Sequence, residues 1–239
     1  MFIHKKYSIS ILLSILISVI SYLCLNNIIP NLSDKVDEKD IGFLLYGSMI
    51  GNLRNFYIIT ITIIFICNIL INNYFKMYIV IRNNNRIDIL KKFIKSVLEN
   101  NIIFFFILNF IFIVIFVLNF NLSYLNINFI KYITLSFISE VLGETTICIL
   151  ISLLFIITNR SLISSGIIFS IITIIKSVIE ALKYDIISFS DMIFFKSDFI
   201  NYYNDIFCHI SYIINFILII IMSYLIMCSL FNRKDIICE

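Results

Sequence analysis

Tryptophan is absent from this chain, proline occurs once, histidine twice and glycine five times, and only 14% of the residues are charged. Each scarcity closes a class of function. With five glycines spread over 239 residues there is no G-x-x-x-x-G-K-[ST] loop, so the chain does not cradle nucleotide phosphates on backbone amides in that way and is not itself an ATPase. There is no H-E-x-x-H pair to hold zinc, and His4 and His209 leave few options for a histidine-based dyad. Cys24, Cys67, Cys148, Cys208, Cys228 and Cys238 show no C-x-x-C spacing, and four of them lie inside long apolar runs, where a thiol behaves as a small hydrophobe. Neither a disulfide framework nor a metal or other cofactor is expected. The basic residues sit beside apolar runs and are explained by orientation in a membrane, so nucleic acid is not expected as a partner.

What the sequence does have is apolar length. It is 61% hydrophobic with a mean hydropathy of +1.03, more apolar surface than one soluble core of this size could bury. Runs of about the thickness of a bilayer core occur at 7–25, 56–71, 102–120, 132–157, 161–179 and 210–231. The reading is an all-α integral membrane protein of six transmembrane helices, one transmembrane domain over 1–239. The first run follows His4, Lys5 and Lys6 but lacks a small-x-small cleavage site, so it is expected to stay as a span. Eleven Lys and Arg fall in the N-terminus, the 72–101 loop, the 158–160 turn and the C-terminal tail, against six on the opposite side. Both termini should therefore face the cytoplasm, in the cytoplasmic membrane of a bacterium.

Two features could carry chemistry. In 87–98 the apolar residues Ile87, Leu90, Phe93, Ile94, Val97 and Leu98 recur at helical spacing, with Asp88, Lys91, Lys92 and Lys95 on the other face. Asn83, Asn84 and Asn85 favour a turn just before. An amphipathic cytoplasmic helix between spans two and three is expected, and two readings stay open: a helix resting on anionic lipid, or a docking element for a cytoplasmic partner.

The second feature is intramembrane charge. Glu140 and Glu144 lie one helical turn apart in the fourth span, and Lys176 and Glu180 repeat that spacing in the fifth. Each such residue costs ~3 kcal/mol at the bilayer centre. Glu144 and Lys176 are each 16 residues from Arg160, hence at one depth, roughly 24 Å from the turn. Glu140 and Glu180 should lie nearer the outer interface. A structural Glu144–Lys176 pair is expected, with a substrate or proton site as the alternative.

Other features have plainer readings. Ser10, Ser14, Ser18 and Ser21 form a stripe suited to close helix packing, with the lining of a pathway as the alternative. Cys208 and His209 are adjacent, so their side chains point about 100° apart and do not by themselves form a nucleophile and base. The acidic and aromatic mixture of 181–209 suits interfacial or re-entrant helices.

The six spans, the cytoplasmic termini, the basic loop with Arg82 and Arg86, and the ending Phe231-Asn232-Arg233-Lys234-Asp235-Ile236 resemble the type-2 ATP-binding-cassette membrane-protein family. The likeness is to its small permeases of bacteriocin or lantibiotic immunity and peptide-antibiotic export. It implies a permease without enzymatic activity of its own, moving a peptide, lipid-like or antimicrobial substrate while a separate ATPase hydrolyses ATP. It also implies a homodimer or a sister permease, and a coupling region in 72–100 with Arg82, Arg86, Phe93, Ile94 and Val97 as candidates. The chain departs from the family at its start, where six residues precede the first span. A membrane immunity or assembly protein without transport, and an intramembrane peptidase, are the competing functions.

Overall fold

The computed structural model describes residues 2–26, 46, 53–75, 86–119, 127–182, 192–193 and 206–233. Six helices order them: α1 (Phe2–Asn26), α2 (Leu53–Tyr74), α3 (Arg86–Asn119), α4 (Ile127–Thr158), α5 (Ser161–Leu182) and α6 (Ile206–Arg233). No strand occurs among the described residues. Isoleucine, abundant here, is an indifferent helix former in water, but in lipid the backbone must satisfy its own hydrogen bonds, and the helix does this within one segment. Hydroxyls inside the apolar helices follow the same rule. Ser18, Thr146 and Ser152 donate to the carbonyls of Ser14, Leu142 and Cys148 one turn back, at 2.8, 2.8 and 2.6 Å.

Five helices, α2 to α6, are long and apolar enough to cross a membrane, and α1 carries a shorter apolar stretch, Tyr7–Ile20. The fold is that of a multi-pass helical membrane protein. Its centre is α4, which packs against α2, α3, α5 and α6, while α1 packs along α3. Of the apolar window of α4 67% is buried inside the chain, against 17% for α6, so α4 is the helix that sees protein and α6 mostly faces outward.

α4 and α5 form a hairpin whose turn is set by Asn159. Its φ of 57° is left-handed, a conformation that asparagine tolerates better than most residues and that ends a helix. The Asn159 N–H reaches the Phe155 carbonyl at 2.8 Å, and the Thr158 and Ser164 hydroxyls meet at 2.8 Å across the turn. At the same end of the bundle, Phe75, just past α2, packs its ring 5.1 Å from Phe93 of α3, 5.6 Å from Phe155 of α4 and 5.6 Å from Phe231 of α6. Four helix ends are joined through one phenyl ring.

α3 departs from expectation. The amphipathic segment and the third apolar run are one continuous helix of 34 residues, ~51 Å long, starting directly after the three asparagines. The polar stretch Glu99-Asn100-Asn101, which reads as a boundary, does not interrupt it. The Asn100 amide donates to the Ser96 carbonyl at 2.8 Å and accepts from the Ser10 hydroxyl of α1 at 2.7 Å, and Asn101 donates to Thr145 of α4 at 3.0 Å. Tertiary partners satisfy what would otherwise be exposed amides in an apolar helix. Ser10, Ser14 and Ser18 are buried, the close-packing role expected of that stripe.

A candidate functional site in a buried polar seam

α4 presents Ser136, Glu140, Glu144, Cys148 and Ser152 at four-residue steps, and all five are buried. Four residues turn an α-helix by about 400°, so such a row drifts ~40° at each step and slants around the helix. The slant carries the seam from one neighbour to the next. At Glu140 the partners are Asn109 of α3 and Tyr46; at Glu144 the partner is Thr60 of α2; at Cys148 it is Cys67 of α2, whose Sγ lies 3.6 Å from the Cys148 carbonyl oxygen.

Around Glu140 the contacts are dense. The carboxyl Oε1 lies 3.0 Å from the Tyr46 hydroxyl and 3.0 Å from the Ser136 hydroxyl, and Oε2 accepts from Asn109 Nδ2 at 3.3 Å. Asn109 Nδ2 also donates to the Phe105 carbonyl at 3.0 Å, and the Tyr46 hydroxyl donates to Asn109 Oδ1 at 2.6 Å. Ring contacts with Phe112 at 5.0 Å and Tyr132 at 5.7 Å, both edge to face, hold Tyr46 in place. Glu144 is sparser: Oε1 accepts from Thr60 at 2.9 Å and Oε2 has no hydrogen-bond partner.

Beside the seam, Met192 and Ile193 lie against α4. The Ser139 hydroxyl donates to the Met192 carbonyl at 2.7 Å, and the buried Ile193 side chain occupies the space over Gly143. A Cβ on Gly143 would stand 2.4 Å from Ile193 Cγ1, so this glycine is needed for close approach.

The structure brings together some of the residues singled out from the sequence and separates others. Glu144 and Lys176 are both buried, yet no ion pair joins them, and the hydrogen-bond partner of Glu144 is Thr60. Equal distance from Arg160 sets a common depth but not a common azimuth, and the seam turns Glu144 toward α2. Among the described residues Glu140 makes no ion pair either, its partners being Tyr46, Asn109 and Ser136. The Glu180 side chain lies outside the described residues, as do Arg82 and the side chains of Arg86, Cys208 and His209.

Phe93 and Val97 are fully buried and Ile94 is half-buried. The Phe93 ring meets Tyr74 at 5.9 Å and Phe75 at 5.1 Å. The apolar face that the periodicity offered to lipid or a partner is thus covered by the chain's own helices. Lys91, Lys92 and Lys95 remain exposed on the other face, with Lys95 Nζ 3.9 Å from Glu99.

No family model matches the chain, and no curated protein or solved structure matches it. Among the described residues no group of three or more His, Cys, Asp or Glu could hold a metal ion. Chemically, the seam offers buried carboxyl, amide and hydroxyl groups able to hold and pass protons or to bind a small polar group inside the bundle. Asn101, Asn109 and the four-residue row on α4 were visible in the sequence as polar residues in apolar runs. Tyr46 carried no such signal, because it arrives from a separate segment.

Proposed function

We propose that this chain is the permease subunit of an ATP-binding-cassette exporter, with six spans and both termini in the bacterial cytoplasm, working with a separate ATPase. The observation that carries the reading is the build of α3. Its N-terminal turns expose Lys91, Lys92 and Lys95, while the opposite face is anchored through Phe93 to the aromatic cluster of α2, α4 and α6. The same unbroken helix continues to Asn101 and Asn109, which are bonded to Thr145 and to the Glu140 carboxyl of α4. A push on the basic turns would reach the centre of the bundle through one rigid rod, which is what coupling to an ATPase requires. The docking surface in this reading is the lysine face, not Phe93, Ile94 and Val97.

The orientation rests on the excess of Lys and Arg at the end carrying Arg160 and the start of α3. Exposed apolar side chains on α5 and α6, such as Ile171, Ile175, Leu218 and Leu225, would meet lipid and a second permease subunit. The substrate class that suits this reading is a peptide, a lipid-like molecule or an antimicrobial compound.

The test is co-purification of the tagged chain from its native membrane, followed by ATPase measurement. An ATPase should accompany the wild type, and Lys91→Glu with Lys92→Glu and Lys95→Glu should lose it while the chain still extracts as a monodisperse species. A chain that carries no ATPase would favour an immunity or assembly role without transport. Retention of the ATPase by the triple variant would refute the lysine face as the docking surface.

A further inference from the structure

We propose that Glu140 is a proton-binding site, and that the bound proton ties the segment carrying Tyr46 to α3 and α4 through a closed hydrogen-bonded cycle of acid, phenol and amide. This reading does not depend on an ATPase.

It follows from counting protons. Five hydrogen-bond contacts surround the site, Tyr46 Oη with Asn109 Oδ1, Tyr46 Oη with Glu140 Oε1, Ser136 Oγ with Glu140 Oε1, Asn109 Nδ2 with Glu140 Oε2, and Asn109 Nδ2 with the Phe105 carbonyl, and the single Ser136 proton is shared with the neighbouring Tyr46 oxygen. The protein's own donors supply four protons, one each from Tyr46 and Ser136 and two from the Asn109 amide. The amide cannot be turned round to change the count. Its nitrogen faces the Phe105 carbonyl oxygen, which only accepts, so Oδ1 must face Tyr46.

The phenolic proton therefore goes to Asn109 Oδ1 at 2.6 Å, the shorter of the two Tyr46 contacts. That leaves Tyr46 Oη and Glu140 Oε1 3.0 Å apart with no proton between them if the carboxyl is ionised. Two lone pairs would then face each other inside a fully buried site. A proton on Oε1 removes the conflict. Glu140 then donates to Tyr46, Tyr46 donates to Asn109 Oδ1, and Asn109 Nδ2 donates back to Glu140 Oε2, so each bond polarises the next.

The charged and titratable groups around the site agree. Facing Glu140 are Tyr46 from its own segment and Tyr132 and Glu144 from α4, while α3 contributes the neutral Asn109 and α2 contributes Thr60, which binds Glu144. Among the described residues none of these is a cation, and Lys176 of α5 forms an ion pair with neither carboxyl. Glu144, one turn away, has its Oε2 without a hydrogen-bond partner, so two ionised carboxylates here would repel each other with no counter-charge among the described residues.

The experiment is infrared spectroscopy of the full-length chain in phosphatidylcholine liposomes. At neutral pH the wild type should show the carbonyl stretch of a protonated carboxyl that is lost in Glu140→Gln and shifted in Tyr46→Phe, which removes its hydrogen-bond acceptor. A spectrum in which Glu140→Gln removes only carboxylate absorption would overturn the proposal. In Tyr46→Phe that extracts as a monodisperse species, an unmoved carboxyl band would overturn the cycle. Thermal unfolding against pH then tests the tie to Tyr46. The sign follows from the cycle, whose stabilisation is complete while the proton is bound and is lost as pH rises enough to remove it. The wild-type midpoint should fall to that of Tyr46→Phe over the pH range in which the band disappears. Glu140→Gln, whose amide donates to Tyr46 at every pH, should not fall over that range. A wild-type midpoint that holds while the band vanishes would sink the tie.

Discussion

Replacing Phe93 with serine separates an internal role for the first turns of α3 from a docking role. The Phe93 side chain is fully buried and its ring joins the cluster of Tyr74 and Phe75, which in turn touches Phe155 and Phe231. Truncating a buried phenylalanine costs roughly 3–5 kcal/mol through lost burial and the cavity left behind, and a serine hydroxyl placed there adds a desolvation penalty. Partial collapse of the cavity or entry of water would offset part of this, leaving ~3 kcal/mol. At roughly 2–4 °C per kcal/mol for a chain of this size, the unfolding midpoint should drop by about 6–12 °C. The buried free thiols of Cys67 and Cys148 give the assay, since a thiol-reactive dye reports the temperature at which the α2–α4 contact opens. Lys92→Ser, at an exposed position on the same helix, should stay within ~0.5 kcal/mol of the wild type. A Phe93→Ser chain that unfolds with the wild type would refute the internal packing and return this face to lipid or a partner.

Two further outcomes follow from the geometry of α4. Gly143→Ala places a Cβ 2.4 Å from Ile193 Cγ1, and overpacking of that kind costs about 1–3 kcal/mol against ~1 kcal/mol gained from helix propensity. Adding Ile193→Ala should restore most of the loss in the same dye assay, and a double variant as unstable as the single would mean that Ile193 is not the obstacle. Glu144→Gln and Lys176→Met should have effects on stability that add to within ~0.5 kcal/mol, because no ion pair links them. Recovery of folded yield in the double variant would show that the pair exists after all.

Much of the architecture was legible from local pattern, because helix formation in lipid depends on properties that a short window of sequence carries. Apolar length marks where a helix can be, and Asn159-Arg160 marks the hairpin between α4 and α5. What no window contains is the rotation of one helix about its axis relative to another. Glu144 and Lys176 share a depth by counting residues, yet Glu144 turns to Thr60, since azimuth is decided by how ridges of side chains interlock across α2, α3 and α4. The same reason hid the fate of Phe93, whose amphipathic periodicity announces a face that must be covered but not what covers it. It also hid Tyr46, which reaches Glu140 from 94 residues away in sequence. Polar residues in apolar runs were visible as expensive, whereas their pairing into a seam required the packed bundle, because a buried hydrogen bond is settled by three-dimensional proximity and the local chain holds no record of it.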